Sequence, residues 1–201
     1  MKAFLKAVTA AGSGLLGASL ASKPGSRRFH VLTASVAATW FAGARAAGPV
    51  SRGHPDVVQP VLAGAGAFGA FYCCALVARR IPLLRRAITG VLSHAHHGST
   101  PTVVTTALAT GAAEEVFFRG ALYDAFGPRA STAMYVLSTT ATRNPALVLA
   151  SATMGTLLTL QRRRSGGVQA PLLTHLTWST LMIGFLPRLF PPQSSSGGVG
   201  P

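Results

Sequence analysis

Acidic side chains are almost missing from this chain: its 201 residues hold four Asp and Glu against eighteen Lys and Arg, a formal charge of +14. Charged residues make up 11% and hydrophobic ones 49%, and mean hydropathy is +0.41. That balance argues against an ordinary soluble domain and for an integral membrane protein. Cysteine is equally scarce. Cys73 and Cys74 are adjacent, and helical neighbours point roughly 100° apart, so they are poorly placed to bridge each other. They read as small buried apolar residues. Strand-like alternation is lacking too, and the apolar runs are too long and continuous for barrel strands. No basic stripe interleaved with aromatics exists, which excludes nucleic acid as a partner. The arginines instead form short knots between apolar runs (Arg79-Arg80, Arg85-Arg86, Arg162 to Arg164), the pattern of membrane loops, and such an excess attracts anionic headgroups. Arginine far outnumbers lysine, alanine and glycine abound and Asn144 is the single asparagine. This bias suits a GC-rich bacterial genome, so the expected location is a bacterial plasma membrane.

What is present is a series of apolar segments. The expected fold is all-α, a multi-pass transmembrane helix bundle in which about six helices span or nearly span the bilayer. Residues 1–28 form a signal-like or interfacial helix, read as retained because Lys6 interrupts its apolar core, and a basic turn. Residues 29–99 hold the N-terminal membrane helices: Phe29 to Ala44 with Trp40 near one interface, and Val57 to Ala78, the clearest span, whose Gly64, Gly66 and Gly69 form a small-residue packing face. A basic connector, Arg79 to Arg86, leads to Ala87–Thr100, too short to span. Residues 100–190 form the core: Thr102 to Tyr123, Ala130 to Thr142, Ala146 to Leu160 and Val168 to Leu186. Residues 191–201, rich in Pro, Ser and Gly, read as a disordered tail. If the first helix does not cross and the other six segments do, Arg162 to Arg164 fall on the side opposite residues 23–28 and 79–86, against the positive-inside rule. No internal repeat is seen.

Two of the four acids, Glu114 and Glu115, stand together in the apolar run from Thr102 to Tyr123. An ionisable group at membrane depth costs about 2.5–3.5 kcal/mol even on lenient scales and marks a functional site by default. Glu115 and Arg119 share a helix face, but one arginine does not neutralise two buried acids. The small residues Thr110 to Ala113 let a helix or a substrate come close, and a glutamate tuned toward neutral pH is a good general base for water. On the last span, His175 and Ser179 also share a face, beside Trp178; the pair suits a water, a metal or a developing oxyanion. Asn144 sits at a helix break, where a plain helix cap is the simplest reading. His94-Ala95-His96-His97 carries metal-ligating residue types but reads as an exposed polar loop.

Ala113-Glu114-Glu115-Val116-Phe117-Phe118-Arg119-Gly120 resembles the EExxxR motif of the CPBP family, the CAAX-prenyl-protease and bacteriocin-processing intramembrane proteases also called Abi proteins. Gly166 to His175 is similar to the Gly-rich, apolar-Pro approach to that family's HxxxN motif. The resemblance covers roughly residues 100–187. Two positions depart from the pattern. Ser179 stands where HxxxN has asparagine, and in the nearest FxxxH frame, Tyr135 to Thr139, Thr139 stands where histidine is expected.

The resemblance implies an intramembrane endopeptidase acting on membrane-associated or lipidated peptides. Glu115 or Glu114 activates water, Arg119 holds the carboxylates, and His175 with Ser179 stabilises the oxyanion, with Thr139 and Asn144 as helpers. A divalent metal such as zinc is a candidate cofactor, with Glu115 and His175 as candidate ligands, although zinc sites usually take three protein ligands. Two other classes compete: an inactive CPBP-like scaffold or regulator that has lost its middle histidine, and a proton-coupled transporter using the Glu/Arg/His cluster as a relay.

Overall fold

The computed structural model describes residues 1–96 and 100–191. Among the described residues every regular element is helical: α1 (Lys2–Leu20), α2 (Arg27–Ala47), α3 (Val58–Ala78), α4 (Pro82–His96), α5 (Thr100–Glu114), a π-helical stretch (Glu115–Leu122), α6 (Tyr123–Phe126), α7 (Pro128–Thr140), α8 (Pro145–Ser165), α9 (Gln169–Phe185) and a closing 3₁₀ turn (Leu186–Leu189). By length and composition two of these helices, Lys2–Leu20 and Val58–Ala78, are long and apolar enough to cross a membrane, fewer than the sequence reading expects.

Most helices run between two ends of a bundle. α1 and α2 are antiparallel, with Gly12 under Trp40, Val8 on Gly43, and the hydroxyls of Ser19 and Thr33 bonded at 2.6 Å. α7 and α8 are antiparallel, joined by Thr132 to Thr159 (2.8 Å) and Thr139 to Ser151 (2.7 Å). α3 and α9 run side by side, with Thr174 Oγ1 donating to the Pro60 carbonyl (2.8 Å) and Phe68 meeting Phe185 further along. The first end gathers the start of α1, the end of α2, α6, the end of α8 and the start of α9. There Lys2 and Lys6 lie over the Phe126 ring, and the loop before α3 bonds to the α8–α9 turn (His54 N–H to the Ser165 carbonyl, 2.9 Å). Following the chain direction, every Lys and Arg except Arg119 falls at one end or the other.

α4 is the exception, because it lies across the second end. Ala87 faces the start of α8, His94 bonds the Ser22 carbonyl (3.2 Å) and stacks on Phe29, and Leu92 packs with Ala75, Leu186 and Phe190. Pro82 occupies its first turn, where a proline is preorganised for the helix. The basic connector is therefore partly helical and Ala87 is not a start. His94 belongs to this helix rather than to an exposed loop, and His97 lies outside the described residues, as do residues 192–201 of the tail.

Several expectations are corrected by packing. α1 packs along α2 on one face: Leu5 is fully buried and Gly12 admits no side chain, since a Cβ there would sit 2.2 Å from the Trp40 indole nitrogen. Trp40 is consequently a core residue and not an interface aromatic. With α1 running along α2 and α4 lying across the second end, Arg162 to Arg164 share the first end with Lys2 and Lys6, through Asp124 and Phe126 of α6. On α3 only Gly64 meets a neighbour, the α9 backbone and Thr177; Gly66 and Gly69 face open space. Cys73 and Cys74 are free and exposed on the outer face of α3 rather than buried.

The core sits between α1, α2, α7 and the π-helical stretch. Trp40, Phe117, Phe118 and Leu122 are fully buried with Tyr135 beside them, and Phe118 stands edge-on to both Trp40 (5.3 Å) and Tyr135 (5.0 Å). This aromatic wedge backs the segment that carries the acids.

Candidate active site

The glutamate segment is not one α-helix. From Glu115 to Leu122 it winds as a π-helix, a form that is rare overall and frequent at functional sites. Side chains from other helices take up its carbonyls. Ser131 Oγ donates to the Phe118 carbonyl, and Arg162 Nε donates to the Arg119 carbonyl at 2.8 Å. Arg162 is itself buried, stacks on Tyr123 at 4.7 Å and pairs with Asp124 at 2.8 Å. Asp124 is half exposed, so the pair itself contributes little; the buried bond to backbone is what fastens the stretch to α8.

This winding aims Glu115 and Arg119 into the bundle. Glu115 has no solvent exposure and Arg119 has 1%. Arg119 Nη1 donates to Glu115 Oε1 at 3.3 Å, and His175 Nδ1–H donates to the same oxygen at 2.8 Å. The imidazole comes from α9, sixty residues away in sequence. Its far edge faces Gly111, where a Cβ would lie 3.6 Å from Cε1 and Nε2. Glu114 is half buried and accepts from the Tyr135 hydroxyl at 3.2 Å. The Arg119 guanidinium lies 4.1 Å over the Tyr135 ring, and Gly155 on α8 leaves room for both. Glu115 Oε2 and Arg119 Nε and Nη2 are buried without a hydrogen-bond partner in the protein. Buried polar groups are normally paired, so a full set of uncommitted donor and acceptor atoms marks this cluster apart from a closed structural ion pair.

Of the residues singled out by sequence, Glu114, Glu115, Arg119 and His175 therefore meet in one place, from the end of α5, the π-helical stretch and α9. Three others do not join them. The Thr139 hydroxyl is shared with Ser151 (2.7 Å) and the Val136 carbonyl. Ser179, half buried one turn beyond His175, has no hydrogen bond to the carboxylates or to Arg119. Asn144 caps α8, accepting from the amides of Ala146 (3.0 Å) and Leu147 (3.1 Å), while its Nδ2 donates to the Ala87 carbonyl (2.8 Å). Asn144→Ala is expected to cost about 1 kcal/mol for the lost cap and more for the lost tie to α4; thermal unfolding checks this.

Sequence reasoning did not place Tyr135 in the cluster. Its position in the FxxxH frame is visible, but the reach of its hydroxyl to Glu114 depends on how α7 packs on the π-helical stretch. The local support of His175 was equally hidden. Thr174 donates to the Pro60 carbonyl and accepts from Gln161 Nε2 at 2.8 Å, which fixes the turn of α9 that carries the imidazole.

The fold and the cluster together define a helical bundle with a buried Glu–His–Arg centre. Residues 96–181, the part of the chain that holds this centre, match the family of type II CAAX prenyl endopeptidases, Rce1-like. That family is one of membrane-embedded peptidases. No curated protein and no solved structure matches the chain.

A resident zinc does not suit the donor set. Among the described residues no three His, Cys, Asp or Glu side chains gather as a metal-holding group. Glu115 and His175 supply two donors, which are bonded to each other, where zinc usually takes three from the protein.

Proposed function

We propose that this chain is a multi-pass intramembrane endopeptidase that hydrolyses peptide bonds of membrane-associated or lipidated peptides through a glutamate-activated water. The observation that carries the reading is the 2.8 Å bond between Glu115 and His175, made across two helices beside a second, more accessible carboxylate. The membrane setting is supported by the outward face of α3, where Val58, Leu62 and Val77 are each more than 60% exposed, and by the absence of Lys and Arg between the two ends save Arg119. α2, α5, α7, α8 and α9 cross as members of the bundle.

The two glutamates take different roles. Glu115 is sealed and its Oε1 is held by both Arg119 and His175, so it orients the imidazole. Glu114 is the carboxylate that water and substrate can approach, and it acts as the general base. Glu114 takes a proton from water as the hydroxide adds to the scissile carbonyl. His175, holding Nδ1–H on Glu115, presents Nε2–H past Gly111 to the developing oxyanion. In that form the two carboxylates, the guanidinium and the imidazolium sum to zero charge. Glu114 then returns the proton to the leaving amine as the C–N bond breaks. Arg119 holds the carboxylates, and Ser179, on the same face of α9 as His175, contacts the substrate. Thr139 and Asn144, with their polar atoms engaged elsewhere, position helices.

A second reading, an inactive scaffold, draws on Thr139: where the family motif has an imidazole, this hydroxyl is turned to Ser151. Quenched fluorogenic peptides, with and without a prenylated CaaX-type end, separate the two readings when presented to the protein in proteoliposomes. The wild type is expected to cleave the lipidated peptide, and His175→Ala to lower turnover about 10²–10³-fold, as loss of one oxyanion donor does. No cleavage by the wild type, together with full cellular function of the His175→Ala variant, would establish the scaffold.

A further inference from the structure

The second end of the bundle differs from the first in three ways that nothing above uses. It is where α4 lies flat instead of crossing. It holds no acid, because Asp56 and Asp124 both belong to the first end. And it exposes basic and large apolar side chains within two turns of each other: Arg79, Arg80, Arg85 and Arg86 are exposed, and Ile81 and Leu83 are 44% and 66% exposed. Residues 23–28, Arg143 and Arg188 add further exposed positive charge at the same end.

Bulk water suits the arginines and not the leucine and isoleucine, while an acyl phase suits the reverse. One environment satisfies both, the boundary between headgroups and chains, where an amphipathic helix lies in the plane with its apolar residues sunk below the phosphates. α4 is already held in that attitude by protein: Leu92 anchors one side into the bundle, Asn144 fastens its backbone at Ala87, and the Ser22 carbonyl holds its His94 ring. The helix needs no folding on contact, so the surface is preorganised.

We propose that this end of the bundle is a docking surface for anionic phospholipid, with α4 in the interface plane, Ile81 and Leu83 among acyl chains, and Arg79, Arg80, Arg85 and Arg86 on lipid phosphates. The first end is the poorer site despite its own arginines, because Arg162 is spent on Asp124 and on the Arg119 carbonyl and no helix lies flat there. The proposal rests on the membrane setting argued above and is independent of peptidase activity.

The test uses the full chain in nanodiscs of phosphatidylcholine, with or without phosphatidylglycerol. Phosphatidylglycerol is expected to raise the unfolding temperature of the wild type, and salt to erode that rise. Replacing Arg79, Arg80, Arg85 and Arg86 together by glutamine is expected to abolish most of the rise and to weaken binding of short-chain phosphatidylglycerol more than about tenfold, each basic residue near an anionic surface being worth about fivefold. The same replacement at Arg45, Arg52, Arg163 and Arg164 should leave the response intact. The four α4-end arginines are exposed, so that variant should match the wild type in phosphatidylcholine alone; if it does not, the Arg85→Gln/Arg86→Gln pair is read instead. Equal loss from both sets, or no loss from either, overturns the proposal. Alkaline extraction of native membranes distinguishes the other failure: release of the chain into the supernatant defeats the membrane setting itself.

Discussion

Glu115→Ala is expected to destabilise the protein by about 3–5 kcal/mol, the usual consequence of removing one partner of a buried ion pair, whereas Glu114→Gln is expected to leave stability nearly unchanged and to lower turnover about 10²–10⁴-fold, the range for loss of a general base. The two residues are neighbours of the same type, and only their surroundings separate them. Glu115 has no exposure and is the shared acceptor of Arg119 and His175. Without it the guanidinium is buried with none of its nitrogens bonded to protein, because Nε and Nη2 already lack partners, and the imidazole is no longer held. Glu114 is half buried, and its one hydrogen bond is from Tyr135. Glutamine keeps an oxygen for that hydroxyl and loses only the charge and the basicity. Thermal unfolding in nanodiscs and cleavage of a lipidated peptide, run on both variants, check the division. A Glu115→Ala variant as stable as the wild type, or a Glu114→Gln variant that still turns over, would mean that the roles are not divided this way.

The chemistry was legible in the sequence where it depends on spacing along one helix, and hidden where it depends on which helix lies next to it. The isolation of the glutamates, the sharing of a face by Glu115 and Arg119, and the presence of an imidazole on the last apolar segment are all properties of local sequence in an apolar background. The π-helical winding is not, because the donors to its carbonyls, Ser131 and Arg162, come from α7 and α8. Tyr135 reads locally as an aromatic in a motif frame; its hydroxyl matters only because α7 packs against the stretch. The same holds for Thr139, whose identity is visible at once and whose partner is on α8. Segment types were legible from hydropathy, but the attitude of α1 and α4 was not. Gly12 and Trp40 are unremarkable apart and define a close helix crossing together, and a short basic amphipathic segment reads alike whether it lies on a bundle or beyond it.

The α8–α9 turn gives the second large expectation: Gly167→Ala is expected to lower stability by about 1–3 kcal/mol or more, as overpacking does, and to lower turnover at least tenfold. A Cβ at Gly167 would fall 2.0 Å from the Arg52 carbonyl carbon and the Gly53 nitrogen. These are backbone atoms of the loop before α3, so no side chain can swing aside, and either the loop or α9 must shift. That contact is also where the start of α9 is capped. The amides of Val168 and Gln169 donate to the carbonyls of Ser51 (3.0 Å) and Arg52 (3.1 Å), and Ser51 Oγ donates to the Gly166 carbonyl (2.9 Å), so donors left over at a helix start are satisfied by a loop more than a hundred residues away. A few residues after that loop, the Pro60 carbonyl holds Thr174, next to His175. A shift at Gly167 is thus passed along two routes, the axis of α9 and the loop, to the imidazole that bonds Glu115, and a displacement of about 1 Å is enough to cost up to 10²-fold in rate. Gly166→Ala is the control. Its φ of +73° disfavours any side chain, which costs of the order of 1 kcal/mol, but nothing lies within 4 Å of the added carbon, so the loop and α9 keep their places. The expected pattern is a modest stability loss with near-normal turnover for Gly166→Ala, and losses of both for Gly167→Ala, read by thermal unfolding and by kcat on a lipidated peptide. If both variants lose turnover in proportion to stability, the turn is only a hinge of the fold and does not position the histidine.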